Sequence, residues 1–163
     1  MPTPTPPEPW NDDFLDLADA LLAAEVEFLV VGAFALAQHG LLRATADIDF
    51  VVRPSPENAT RVVAALRSFG APLASVGVGE ADFAAPGQTY QMGIKPRRID
   101  ILTELSGVTF EDAWAGRITK QVFGRSVPFI GVDALRRNKL ASARPKDLAD
   151  AAWLDTAFPS TKR

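Results

Sequence analysis

The sequence predicts an α+β fold, a small mixed α/β sheet carrying helices and closed by a C-terminal helical pair. Three observations predict it. Short runs of β-forming residues alternate with stretches of helical period. The run Phe28-Leu29-Val30-Val31 passes through Gly32 directly into a helix-favouring segment, with no linker. The residues on either side of Gly124 read as a hairpin of two short strands. At 163 residues the chain has the length of one ordinary domain, since a single core usually serves about 100–200 residues.

Residues 1–9, MPTPTPPEP, alternate proline with small polar residues and offer no apolar face. They read as a disordered Pro-rich leader. A single domain is expected over residues 10–157, with a flexible tail at 158–163. Asn11 is a candidate N-cap, and Phe14, Leu17, Ala18, Leu21 and Leu22 then recur at the spacing of one helix face. Phe28–Val31 reads as a buried strand, Gly32 as its turn, and residues 33–38 as a short helix capped by Gly40. Asp47–Val52 is strand-like, and Ser55-Pro56-Glu57 supplies an N-cap with proline at the first helical position. The helix that follows shows its apolar face at Ala59, Val62, Val63, Leu66 and Phe69 and closes at Gly70. Residues 71–93 lose the pattern and read as an irregular excursion near the site, with a strand at 89–92.

Arg98–Thr103 alternates as a strand, and Phe110–Trp114 reads as a short helix or turn. Residues 118–123 and 127–130 form the hairpin strands around Gly124-Arg125-Ser126. Asp133 reads as the cap of a helix through Ala141, and Pro145 opens a last helix to about Leu154.

With 47% apolar and 23% charged residues, the chain has enough hydrophobic material to offset the entropy of ordering it. No apolar run approaches the roughly 20 residues needed to cross a bilayer, and the N-terminal residues show no basic segment followed by a hydrophobic stretch. A cytoplasmic protein without a membrane partner is expected. Cysteine is absent and His39 is the one histidine, which excludes thiol chemistry, disulfides and multi-histidine metal sites. Catalysis would therefore run on carboxylates, Lys, Arg, hydroxyls or a metal held by oxygen. A net charge of −3 argues against a long nucleic-acid groove but leaves room for a small nucleotide bound through a metal.

In a strand, Asp47 and Asp49 face one way while Ile48, Phe50 and Val52 face the core. Two carboxylates side by side repel, so the arrangement is costly unless a cation lies between them. Asp100, between Ile99 and Ile101, has the same setting, and three aspartates converge if the two strands are neighbours. Three oxygen ligands suit Mg²⁺ or Mn²⁺ rather than zinc. The site is expected beside the Gly32 bend, with no basic side chain filling the place of the ion. A pair of this kind is also common as solvated surface, or as an acidic face for a basic protein partner.

The ordered combination of Val30–Gly40, Arg43, Thr45, Asp47-Ile-Asp49, Arg98-Ile-Asp100, Gly107–Ala113, Asn138-Lys139 and Arg144-Pro-Lys146-Asp147-Leu-Ala-Asp150 resembles the nucleotidyltransferases of the polymerase-beta superfamily. The resemblance is to a small prokaryotic branch described as AbiEii-like or minimal nucleotidyltransferase-like. It implies a nucleotidyltransferase-like palm that transfers an NMP from an NTP to a hydroxyl acceptor on a protein, an RNA or a small molecule. It further implies that Gly32 and the following backbone at Ala33 hold the triphosphate. Asp47 and Asp49 would bind Mg²⁺ or Mn²⁺, Asp100 would complete the metal site and act as base, and Lys139 would reach the nucleotide. Many members of that branch are toxin components neutralised by an antitoxin. The chain is short for a dedicated acceptor domain, which would leave the acceptor to a partner protein or a homodimer. The family pattern has Gly-Gly or Gly-Ser where this chain has Gly32-Ala33, and this departure keeps open a catalytically inactive relative acting as a binding or antitoxin partner.

Arg43 and Thr45 suit either contact with phosphate or acceptor, or a salt bridge that orders the loop. Lys139, taken alone, would be an exposed, solvated charge. Asp147 and Asp150 read as favouring a helix N-terminus. His39 reads as a helix-end residue, and Trp114, Trp153 and Phe110 as core anchors.

Overall fold

A computed structural model describes residues 10–43, 45 and 47–159. The expected leader, 1–9, and residues 160–163 of the tail lie outside the described residues. Helix α1 (Asp12–Ala23) is capped by the Asn11 side chain, which accepts the Phe14 N–H at 3.0 Å. Strand β1 (Phe28–Val31) is buried along its whole length and leads at Gly32 into α2 (Gly32–His39), which ends at Gly40 in the left-handed conformation. Strand β2 (Asp47–Val52) is followed by α3 (Pro56–Phe69), with Ser55 capping the Asn58 N–H and proline in the first turn. The start of α1, the end of α2 and both ends of α3, which closes at a left-handed Gly70, thus fall on the signals expected for them.

The excursion after α3 is more regular than its composition suggests. It contains a 3-10 turn at Ala74–Val76, helix α4 (Glu80–Ala84) and strand β3 (Thr89–Met92). Phe83 is buried and α4 packs on α3, so this segment is a flank of the core. None of its residues lines the cleft described below, but β3 borders the site as expected, with Gln91 opposite Asp100.

Strand β4 (Arg98–Leu102) and helix α5 (Phe110–Ala115) follow. Strands β5 (Ile118–Val122) and β6 (Arg125–Phe129) form the hairpin. Its turn is Phe123-Gly124, both at positive φ (48° and 84°), while Arg125 and Ser126 belong to the strand. Two residues at positive φ give the tight turn whose twist matches that of the strands it joins. Helix α6 (Val132–Ser142) is entered through Gly131; Asp133 lies inside its first turn and pairs with Arg136 at 2.8 Å instead of serving as the cap. Helix α7 (Pro145–Ala157) packs on α6, forming the expected C-terminal pair.

The six strands form one mixed sheet in the order β3-β4-β2-β1-β6-β5. The pairs β2–β4 and β1–β6 are parallel, the remaining neighbours antiparallel. Residues on both faces of β1 and of the second half of β2 are buried, as central strands covered on both sides require. Phe28, Phe50, Phe129, Ile101, Leu17, Leu21 and Leu66 are fully buried and form the centre of the core. Phe110 is buried, with Trp114 stacked on it at 5.6 Å; Trp114 and Trp153 are partly buried against the core. Phe158, the first residue of the expected tail, packs edge-on against His39 and Trp153. No helix among the described residues is long and apolar enough to cross a membrane.

Candidate functional site

The order of the central strands gathers the carboxylates. Because β2 and β4 run parallel as neighbours, Asp47 stands opposite Arg98 and Asp49 opposite Asp100. Because β1 pairs antiparallel with β2, Val31 stands opposite Asp49, so the Gly32 bend falls beside that carboxylate. Gly32 adopts φ +67°, and a Cβ built there would collide with Asp49 Oδ2. Glycine is therefore required twice, for its backbone conformation and for the close approach of the acid. The backbone of Gly32 and Ala33 forms the start of α2, which has no side-chain cap.

Asp47, Asp49 and Asp100 each offer a carboxylate oxygen, and these atoms all lie within 4.8 Å of one another. Asp100 is buried, and its Oδ1 has no hydrogen-bond partner among the described residues. Burial first, and then the negative charges of Asp100 and Asp47, push the Asp49 carboxyl up to about 7. An unpartnered buried oxygen, a proton-retaining acid and an all-oxygen donor set fit a hard divalent cation held by these three residues.

In the sequence Arg98 stands out only as part of a motif. It shares a strand face with Asp100, two residues on, and its guanidinium donates to Asp47 Oδ2. A basic side chain therefore does stand at the edge of the cluster, against the expectation of none. It does not fill the centre: its Nε lies 3.9 Å from Asp100 Oδ1, too far for a hydrogen bond, and is itself without a partner among the described residues. Among the causes acting on Asp49, the charge of Arg98 is the weakest.

The cluster opens into a cleft of about 650 Å³, lined also by Gly32, Ala33, Arg43, Thr45, Lys95, Lys139, Arg144, Lys146 and Asp150. All eight residues singled out as catalytic, metal-binding or nucleotide-binding candidates line it. Thr45 Oγ1 lies 2.9 Å from the Asp47 carbonyl and 3.1 Å from its Oδ1, and accepts the Asp47 N–H at 3.3 Å. Its contacts orient Asp47. Arg43 is paired with Asp150, the loop-ordering arrangement.

Lys139 is not the exposed lysine that its isolated reading suggests. It is buried, with Nζ 3.4 Å from Asp147 and 3.2 Å from Asp150. Asp147 and Asp150 are buried too, so their role exceeds a favourable charge at a helix end. Burial raises the Asp147 carboxyl, but the Arg144 hydrogen bond and the Lys139 charge outweigh it and hold the group below the usual range. Leu36, Lys95, Arg98, Arg144, Lys146 and Asp150 are the cleft residues outside the candidate set; Arg98 stands two residues before Asp100, and Arg144, Lys146 and Asp150 belong to the motif around Asp147, whereas Lys95 carries no signal in the sequence. His39 donates a hydrogen bond from Nε2 to the Ile130 carbonyl, 2.9 Å away, in its helix-end role. It lines a separate groove of about 1020 Å³, which shares no residue with the acid cleft.

No protein-family model matches the chain, and no curated protein matches it. Among solved structures, it is similar to a protein of Thermotoga maritima described as a "putative nucleotidyltransferase". The two share 13% identity, the match covers 87% of this chain and 88% of that one, and the TM-score is 0.55. At that identity the likeness speaks to architecture alone: the chain has a nucleotidyltransferase-like α+β fold.

Proposed function

We propose that this chain is a Mg²⁺- or Mn²⁺-dependent nucleotidyltransferase that moves an NMP from an NTP to a hydroxyl of a protein, an RNA or a small molecule. The observation that carries the proposal is the convergence of Asp47, Asp49 and Asp100 beside the Gly32 bend, in a cleft also lined by Arg43, Lys95, Lys139, Arg144 and Lys146. A divalent ion held by the three aspartates would supply positive charge to the phosphates and to the attacking oxygen. The N–H groups at the start of α2 face the same cleft and offer donors to phosphate oxygens. Lys139 adds a charge whose position is fixed by Asp147 and Asp150. Asp100 takes the proton of the acceptor hydroxyl as its oxygen bonds to the α-phosphorus; the bond to the β-phosphate breaks and pyrophosphate leaves.

The resemblance to the AbiEii-like branch makes a toxin component the finer form of this reading, with an antitoxin partner or a second copy of the chain helping to hold the acceptor. A second reading is favoured by Ala33 and by Arg98 on Asp47: a fold relative that binds nucleotide without turning it over. Incubation with each labelled NTP and Mg²⁺ separates them. Label transfer or pyrophosphate release, abolished by Asp49→Asn, supports catalysis. Thermal stabilisation by nucleotide without turnover supports the binder, and neither result leaves the acidic face to a basic protein partner.

A further inference from the structure

We propose that Arg98 is a resident counter-cation of the acid cluster, held on Asp47 until a nucleotide phosphate takes over its guanidinium, so that divalent metal and nucleotide bind as a coupled pair. The inference rests on the cleft being a metal-dependent nucleotide site and assigns that site an order of events.

Arg98 faces Asp47 across the β2–β4 register and shares a strand face with Asp100. Its hold is partial. One terminal nitrogen donates to Asp47 Oδ2, whereas Nε is buried and stands 3.9 Å from Asp100 Oδ1, neither atom having a hydrogen-bond partner among the described residues. A guanidinium binds a carboxylate best through two parallel donors, and here that fork is half used. The remaining donors suit the oxygens of a phosphate.

The other cations tied to acids in the cleft are arranged differently. Arg43, Lys139 and Arg144 pair with Asp147 and Asp150, which stand outside the three-aspartate cluster. Arg98 alone among these four is paired with a candidate metal ligand. A divalent ion arriving by itself must displace Arg98 from Asp47 and leave a partly buried guanidinium without an anion, which is costly. An NTP arriving with the ion supplies that anion. Each ligand then raises the affinity for the other by the same factor.

The test is calorimetric titration of Mn²⁺ into the wild-type chain and Arg98→Gln, with and without non-hydrolysable NTP analogues. The wild type should bind Mn²⁺ weakly alone and about tenfold more tightly with the analogue, equivalent to ~1.4 kcal/mol. Arg98→Gln should bind Mn²⁺ alone about tenfold more tightly than the wild type, with the nucleotide-linked gain reduced toward none. Arg98→Lys, which keeps the charge without the fork, should fall between them, and it serves as the measured variant should the glutamine form fail to fold. Equal or weaker Mn²⁺ binding by the variants overturns the proposal and leaves the metal site standing, as does an undiminished nucleotide-linked gain. Failure of every form to bind Mn²⁺ overturns the metal site and this proposal with it.

Discussion

Asp49 and Asp100 stand opposite each other in the parallel register of β2 and β4, and both carboxylates face the same cleft. Without a cation between them the pair is strained electrostatically, and Asp49 retains its proton up to about pH 7. A carboxyl whose pKa is raised on folding binds more protons in the native state between its unfolded value, 3.8, and about 7. Its contribution to stability is complete below the lower value and lost as pH rises through the upper one. The metal-free protein should therefore melt at progressively lower temperature as the buffer is taken from about pH 5 to about pH 8, and Asp49→Asn should flatten that slope and raise the melting temperature at the alkaline end. Asp147 and Asp19, both held below 3.8, act only in more acid buffer and leave this window clear. A wild-type profile as flat as that of the variant would contradict the assignment.

What could be read from the sequence here was whatever depends on local periodicity. Alternation along Asp47–Val52 and Arg98–Leu102 assigned each aspartate its face, and Ser55, Pro56, Gly40 and Gly70 marked helix ends through backbone geometry that few other residues satisfy. What was not legible depends on contacts between distant segments. The burial of Lys139 requires Asp147 and Asp150 from the next helix, and the approach of Arg98 to Asp47 requires the β2–β4 pairing. The packing of α4 on α3 was hidden because residues 71–93 are rich in Gly, Ala, Pro and Ser and carry little pattern.

The Gly32 bend predicts a contrast between adjacent positions. Gly32→Ala forces a Cβ into Asp49 Oδ2 at a φ of +67°. It should cost about 1–3 kcal/mol of stability, as a strained backbone does, and should weaken divalent-ion binding because the displaced acid is a candidate ligand. Ala33→Ser, one residue on, replaces a side chain that already has a Cβ and should change stability by less than about 1 kcal/mol. If the lost hydroxyl matters for phosphate contact, this substitution should tighten nucleotide binding, readable as a larger thermal shift with NTP.

The β5–β6 turn offers a test remote from the site. Phe123 holds φ 48° with its side chain exposed, an unfavourable conformation for an aromatic residue, while Gly124 follows at 84°. Phe123→Asn gives the Asn-Gly turn preferred for this hairpin and should stabilise the protein by about 0.5–1 kcal/mol in urea unfolding. Gly124→Ala should destabilise it by about 1 kcal/mol, and neither change should alter metal or nucleotide binding.

Lys139 joins stability to the site, and its replacement should separate the two. The ammonium lies between two buried carboxylates, each of which also meets an arginine: Asp147 with Arg144 at 2.7 Å, and Asp150 with Arg43. Removing the lysine charge with Lys139→Met leaves excess negative charge in a desolvated place, and breaking a buried pair in this way costs about 3–5 kcal/mol. The arginines moderate that cost because each acid keeps one partner, so the loss in urea unfolding should fall at the lower end of the range. The pairing with Asp147 and Asp150 also fixes where the charge stands at the cleft wall, so nucleotide affinity should fall even in samples shown to be fully folded. Lys139→Arg keeps the charge but cannot keep Nζ between the two acids; it should recover more stability than nucleotide binding. Equal recovery of both would mean that Lys139 serves the packing of α6 on α7 alone.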